Sequence, residues 1–410
     1  MNASPPPFRI SGHEFVAFVA AIMAVNALGV DLMLPALPRI GVDLDVAGAN
    51  SRQWIITTYL FGFGLGQLVY GPLTDRLGRR PVLIATLIGF IGASLFAGAS
   101  ATFPALLAAR LLQGLFSAST RVLSVAIVRD RYSGRQMARI SSLAQMVFFL
   151  VPILAPTIGQ GLLALGPWRF IFQALAGYAA LVLVWSALRL PETLPPERRR
   201  SISPASLWEA YRIIGTNRFT MGYAIAGSLT FGAIIAFVSS AQQVFTDTFH
   251  QGARFTVLFG VCAAAMGFAS FLNSRLVERL GTRLISQAAV MGLIALSLVH
   301  IAIEAAGWET LWTYVVVQAL SMTCIGLCGS NFGAMAMEPV GHVAGTASSV
   351  QGFVTSIGAV VVGSLIGQSY DGTTMPLAIG YLCVGVGVLG IVLVVEGGRL
   401  FRPRMAAPQG

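Results

Sequence analysis

Long apolar runs, each closed by a short polar or charged stretch, recur along the whole chain. Twelve are long enough to cross a bilayer as helices of about 20 residues. They lie at 14–37, 51–71, 81–100, 104–127, 139–163, 169–190, 219–243, 254–274, 284–303, 311–336, 345–367 and 376–396. None shows the strict polar–apolar alternation that a membrane barrel needs, so the expectation is an all-α membrane protein with twelve transmembrane helices. Interior Gly and Pro are frequent, as lipid-embedded helices tolerate. The longest polar break, 191–217, falls near the middle and carries Pro195, Pro196, Arg198, Arg199 and Arg200. It predicts a cytoplasmic linker between two six-helix bundles, 1–190 and 218–410.

The two halves repeat. Leu73-Thr-Asp-Arg-Leu-Gly-Arg-Arg80 matches Leu276-Val-Glu-Arg-Leu-Gly-Thr-Arg283 at an offset of 203, and both follow the second run of their half. Parallel repeats joined by a central loop are the architecture of many secondary transporters.

Composition narrows the class. Of 410 residues, 56% are apolar and only 10% charged, with a mean hydropathy of +0.77. A disordered chain, a disulfide mini-protein, a collagen and an ordinary soluble enzyme are excluded. All 26 basic residues are Arg, and the net charge is +10. They cluster between the runs, so the excess reads as topology, not as a nucleic-acid surface. With the N-terminus inside, the inner segments hold Arg9, Arg76, Arg79, Arg80, Arg129, Arg131, Arg135 and Arg139. The middle loop, the second-half loops and the C-terminal tail add most of the rest. Only Arg39, Arg52, Arg169 and Arg254 fall outside. That bias places both termini in the cytoplasm. The polar, Pro-rich first twelve residues and the full-length run behind them argue against a cleavable leader.

Several chemistries are not expected. Cys262, Cys324, Cys328 and Cys383 all lie within apolar runs, where packing is the expected role. Cys324 and Cys328 share a helix face, but no further ligand is near in sequence, so no metal site is expected. No run carries HExxH, GxSxG or carboxylates paired at i, i+4, so no enzyme is expected. Without Lys there is no phosphate-binding GxxxxGK[ST] loop, which excludes ATP as the chain's own energy source. No cofactor is expected.

The loop Gly71-Pro-Leu-Thr-Asp75-Arg76-Leu-Gly78-Arg79-Arg80 resembles the cytoplasmic signature of the major facilitator superfamily. Its physics suits a gate: an Asp at a helix end can meet amides or an Arg, and Gly78 permits a tight turn. Asp31-Leu-Met-Leu-Pro-Ala-Leu-Pro38 resembles the first-span signature of the superfamily's Bcr/CflA branch, the bicyclomycin- and chloramphenicol-resistance drug–proton antiporters; Met33 replaces an aromatic. Arg110-Leu-Leu-Gln-Gly114 is similar to the superfamily's fourth-span motif. The stretch around Pro152, Pro156 and Gly159 resembles its fifth-span antiporter motif, with Gln160 where a Gly is usual. The resemblance implies two six-helix bundles that alternate access, export rather than uptake, a bacterial inner-membrane location and a coupling role for Arg110. It also implies a small-molecule drug and protons as partners, in a lipid bilayer, with a monomer as the working unit. A metabolite exporter or a proton symporter of the same fold is the alternative.

Charges inside the runs point to chemistry, because each costs about 2.5–3.5 kcal/mol at the bilayer centre on insertion scales. Asp31 is the one carboxylate well inside a run and the expected proton carrier. Apolar surroundings penalise its charge and a nearby guanidinium favours it. Arg110 lies at a similar depth, which allows an Asp31–Arg110 pair. Arg121 follows eleven residues later, close to three helical turns of about 3.6 residues, so it shares a face with Arg110, Gln113, Ser117 and Ser124. Such a stripe would line a water-filled cavity. Asp31 ionised, these three charges sum to +1, so permanent cations are expected to be poorer substrates than neutral, zwitterionic or anionic drugs. Polarity and position suggest Asn26, Tyr59, Gln67, Gln145, Gln242, Gln243 and Asn331 as further cavity residues, with Phe148, Phe149, Phe231 and Phe237 as apolar lining. His300 is an isolated histidine near a span end.

Overall fold

The computed structural model describes residues 11–132, 134–199 and 212–401, side chains excepted at 134, 135, 138, 142, 145–149, 198 and 341–346. Helix dominates, and no strand occurs among the described residues. Nine helical stretches among them are long and apolar enough to cross a membrane. The chain divides into two compact units, Met1–Trp208 and Glu209–Gly410.

The first unit holds α1 (Gly12–Asp31), α2 (Leu37–Asp43), α3 (Trp54–Leu77), α4 (Arg79–Ala99), α5 (Phe103–Arg131), α6 (Gly134–Leu165) and α7 (Arg169–Arg189). The second holds α8 (Arg218–Gln243), α9 (Phe255–Ala305), α10 (Leu311–Met337), α11 (Ala344–Gln368) and α12 (Met375–Val395). Short polar residues start several of these helices, by accepting from amides that lack an intrahelical partner. Ser11 accepts from Glu14, Thr102 from Ala105, and Asn217 from both Phe219 and Thr220. Thr310 and Thr313 form a reciprocal capping box at the start of α10.

Two sequence boundaries change. The run 14–37 is not one helix: α1 ends at Asp31, and a tight turn at Leu34–Ala36 leads into α2. Pro35 and Pro38 lack the N–H groups that would bond the carbonyls of Asp31 and Leu34, so the α-helix cannot run through. Conversely, the runs 254–274 and 284–303 fall in one stretch, α9, kinked at Gly281.

The units pack alike. In the first, α3 lies on α5, α4 on α7, and α1 on α6 and α5. In the second, α10 lies on α9 and α8, α11 on α8, and α9 on α12. Gly78 and Gly281, at the 203-residue offset, both adopt positive φ (101° and 77°) with extended ψ (163° and 159°). An L side chain rarely adopts that conformation, so both turns call for glycine. The sequence repeat is therefore also a backbone repeat.

Candidate functional site

The centre of the first unit is a buried guanidinium. Arg110 on α5 is fully buried and meets no carboxylate among the described residues. It is satisfied by neutral acceptors: Nε donates to the Ile55 carbonyl at 3.0 Å, Nη2 to the Gly29 carbonyl at 3.0 Å, and Nη1 to Gln113 Oε1. Its guanidinium also stacks 4.2 Å above the Tyr59 ring. The Gly29 contact explains how the charge is tolerated. Gly29 lies in the last turn of α1, where carbonyls run short of intrahelical amide partners because the helix stops at Asp31. A cation there also meets the negative end of the helix dipole.

Four other expected cavity residues join this network. Tyr59 donates to Asn26 Oδ1 at 3.1 Å, and Ser117 donates to the same oxygen at 3.4 Å. Gln113 passes the chain on, donating from Nε2 to Ser94 Oγ at 2.7 Å. The α3–α5 approach that makes this geometry depends on Gly114, where an added Cβ would lie 1.9 Å from the Tyr59 carbonyl oxygen. The spacing Arg110, Gln113, Gly114, Ser117 thus combines charge, relay and close contact on one helix face.

Asp31 ends α1 and is 5% exposed. The direct Asp31–Arg110 pair that depth allowed does not form: among the described residues its carboxylate makes no ion pair and no hydrogen bond. The two charges share the C-terminal end of α1 instead. Gly159 of the fifth-span motif reaches the same end, since a Cβ there would lie 1.9 Å from the Leu32 carbonyl oxygen. Pro152 and Pro156 sit within α6 without ending it.

Arg121 follows on the same unbroken helix, eleven residues after Arg110 and within about 20° of its face. It is exposed, and its guanidinium makes no hydrogen bond or ion pair among the described residues, while Ser117 and Ser124 are buried and Ser124 donates to the Arg121 carbonyl. It lies nine residues from the exposed Leu112, half a turn around the helix, so it does not share Leu112's face. The Gln145, Phe148 and Phe149 side chains lie outside the described residues. Phe231, Gln242 and Asn331 belong to the second unit. Phe231 is half-buried, and Gln242 is buried with its Oε1 unpartnered among the described residues. Asn331 is buried and donates to Asn273 Oδ1 and to the Leu327 carbonyl, both at 2.9 Å.

The loop expected to act as a gate, 71–80, is a knot of charges. Arg79 is 2% exposed and bridges Asp75 at 2.6 Å and Asp130 at 3.0 Å, with Thr74 accepting at 2.9 Å. Arg80 donates to the Ala187 carbonyl at 2.7 Å, and Gly71 accepts from Thr74 at 3.0 Å. Arg76 is exposed. Glu192, three residues beyond α7, holds the loop: its two oxygens accept the Arg79 and Arg80 amides at 2.9 and 3.2 Å. Residues 191–194, read from sequence as the start of the linker, thus cap α4.

The second unit repeats the device. Arg283 pairs with Glu396 at 2.9 Å and Glu338 at 3.7 Å, and Tyr223 donates to Glu396. Asp130, Glu192, Glu338 and Glu396 were not singled out from sequence. Their signal is positional: each stands at the end of the fourth or sixth run of its half. Replacing Glu192 by Ala is expected to lower the melting temperature by about 2–6 °C, as loss of a cap worth about 0.5–2 kcal/mol requires. Arg76→Ala is expected to leave it unchanged. Thermal unfolding in detergent checks both, and equal shifts would remove the cap role.

Known proteins share this architecture and these motifs. The model of the Major Facilitator Superfamily matches residues 19–364. The MFS-type transporter YdgK of Bacillus subtilis is 32% identical over 389 residues, covering 91% of this chain and 94% of that one. A bicyclomycin resistance protein homolog of Haemophilus influenzae is 30% identical over 384 residues, covering 92% and 94%. The multidrug resistance protein MdtL of Escherichia coli is 31% identical over 247 residues, 60% of this chain and 62% of that one. Among solved structures, a D-xylose–proton symporter superposes with a TM-score of 0.76 at 13% identity, covering 95% and 98%. The human organic anion transporter MFSD10 superposes at 0.64 and 20% identity, covering 96% and 100%. At those identities the structures speak for the fold alone. The chain belongs to the Major Facilitator Superfamily, and its relatives named for bicyclomycin and multidrug resistance agree with the Bcr/CflA branch that its first- and fifth-span motifs resemble.

Proposed function

We propose that this transporter exports small amphipathic drugs from the cytoplasm in exchange for protons. The reading takes the chain as a monomer in a bacterial inner membrane, with twelve spans in two six-helix bundles, 1–190 and 218–410, and both termini inside. The observation that carries it is the end of α1, where a buried carboxylate, Asp31, has no partner among the described residues and the buried Arg110 reaches the Gly29 carbonyl two positions earlier. A carboxylate so placed is stabilised by a proton, and a proton taken from outside and released inside is the currency of antiport. Drug and proton need not touch; each has only to disfavour the state the other prefers.

The energy suffices. Proton entry supplies about 2.3 kcal/mol per 100 mV and about 1.4 kcal/mol per pH unit. One proton therefore supports a drug gradient of roughly a hundredfold. Arg110 and the exposed Arg121 leave the Asp31 region with net positive charge, which favours neutral, zwitterionic or anionic drugs over permanent cations.

Everted vesicles with an imposed pH gradient test the reading across a panel of a neutral chloramphenicol-type drug, a zwitterionic drug and a quaternary ammonium dye. The expected result is drug-triggered loss of the gradient, largest for the neutral and zwitterionic compounds. No response to any member would overturn drug antiport and favour a metabolite. Proton movement in the same direction as substrate would favour a symporter. A stronger response to the dye would overturn the charge preference.

A further inference from the structure

The second unit holds a group of ionisable side chains that the transport reading does not use. His300 and Glu304 lie four residues apart on α9, hence on one face. Glu309 comes from the connection to α10, and Thr374 precedes α12. His300 Nε2 is 2.7 Å from Glu309 Oε1. The Thr374 amide and hydroxyl donate to the two oxygens of Glu304 at 3.1 and 2.7 Å. That same hydroxyl also contacts Glu309 Oε2, and lies 3.2 Å from His300 Nε2. His300 is 3% exposed, and no Arg among the described residues pairs with Glu304 or Glu309.

Proton supply falls short here. Thr374 has one hydroxyl hydrogen for two carboxylate oxygens and an imidazole nitrogen. Even if His300 carries hydrogen on Nε2 and gives it to Glu309, one carboxylate oxygen faces a hydroxyl lone pair. Two half-buried carboxylates with no Arg partner among the described residues, and one histidine between them, call for further positive charge. A second sign lies beside them. The Tyr314 ring is 5.8 Å from the His300 ring, and its fully buried hydroxyl has no partner among the described residues. Buried hydroxyls of that kind usually have a bound partner.

We propose that His300, Glu304 and Glu309 bind one divalent transition-metal cation of the Zn²⁺ type. The donor set, one imidazole nitrogen and two carboxylates, is one that zinc accepts, with a fourth position left for water. The three donor atoms already lie within 4.8 Å of one another. A tetrahedral shell with bonds of about 2.0–2.2 Å spaces its donors by about 3.4 Å, so small side-chain rotations complete it. The spacing is apt: two ligands one helical turn apart and a third from the adjoining connection. The cation cancels both carboxylate charges and ties together the ends of α9, α10 and α12 within this unit. The sequence concealed the site because Glu304 and Glu309 stand just beyond the run that holds His300.

The test uses the full chain in detergent, free of any polyhistidine tag and stripped with chelator, titrated with Zn²⁺ against a chromophoric chelator. One equivalent is expected to bind and to raise the melting temperature. Glu309→Gln is expected to weaken binding by tenfold or more and to abolish the thermal response. His13→Ala and His250→Ala are expected to change neither. If Glu309→Gln does not fold, zinc X-ray absorption on the wild type is expected to show one imidazole and otherwise oxygen neighbours. Absence of saturable binding would overturn the proposal, as would sulfur neighbours or unchanged affinity in a folded Glu309→Gln. Absence of binding would leave shared protons as the compensating charge.

Discussion

Asp31→Asn is expected to abolish drug-triggered proton release in everted vesicles, by a hundredfold or more, while leaving the protein as stable as the wild type. Asn keeps the size and cannot ionise, so the only property removed is the capacity to lose a proton. Stability is preserved for a structural reason. The Asp31 carboxylate makes no hydrogen bond or ion pair among the described residues, so its replacement orphans nothing. Asn is polar too and keeps much of the cost of a polar group there, but adds no charge, so the melting temperature is expected to hold. Arg110 is the instructive contrast. Its loss would leave Gln113 Oε1 and the Gly29 carbonyl without their donor, each at a cost of about 1–3 kcal/mol, and would mix folding with function. The measurement is dye-reported pH-gradient loss on drug addition, with melting temperature alongside. Proton release equal to the wild type would take Asp31 out of the mechanism and leave the fold untouched.

Hydrophobic pattern and local spacing reveal what lies within one helix. The apolar runs emerge as helices with boundaries shifted by a few residues, because bilayer-length apolar segments have few other stable states. Arg110, Gln113 and Ser117 share a face because helical periodicity requires it, and the structure joins them to Asn26 and Tyr59. Depth along a span is a weaker guide. It placed Asp31 and Arg110 at one level but could not show that the helix would end between them, with α1 carbonyls taking the guanidinium. Contacts between distant segments were hidden. Glu192 bonds α4 across 113 positions, and Arg283 meets Glu396 at the same separation. Nothing in a periodic pattern couples such residues. The repeat at offset 203 offered a partial handle: it aligned Gly78 with Gly281 and carried the turn geometry with it, but not the acids that fasten each turn.

Gly159→Ala is expected to reduce drug-coupled proton exchange by tenfold or more, whereas Gly161→Ala, two residues along the same helix, is expected to leave it intact. The two glycines look alike in the motif and differ in what a methyl group would meet. At Gly161 an added Cβ finds nothing within 4 Å. At Gly159 it lies 1.9 Å from the Leu32 carbonyl oxygen and 3.0 Å from the carbonyl carbon. Backbone cannot swing aside as a side chain can, so α1 and α6 must separate by more than about 1 Å, enough to lose tightly held geometry. Leu32 directly follows Asp31, so the displacement falls on the proposed proton carrier. It also disturbs the last turn of α1, where the Gly29 carbonyl accepts from Arg110. At the exposed Gly161, Ala instead favours the helix by about 0.5–1 kcal/mol, so that variant is expected to be as stable as the wild type or slightly more so. Proton exchange and melting temperature are measured on both variants. Wild-type exchange in Gly159→Ala would mean that the close α1–α6 contact is packing without consequence for coupling. A defect in Gly159→Ala alone would give the fifth-span motif a physical role: holding α6 against the end of α1 at the residue beside the carboxylate.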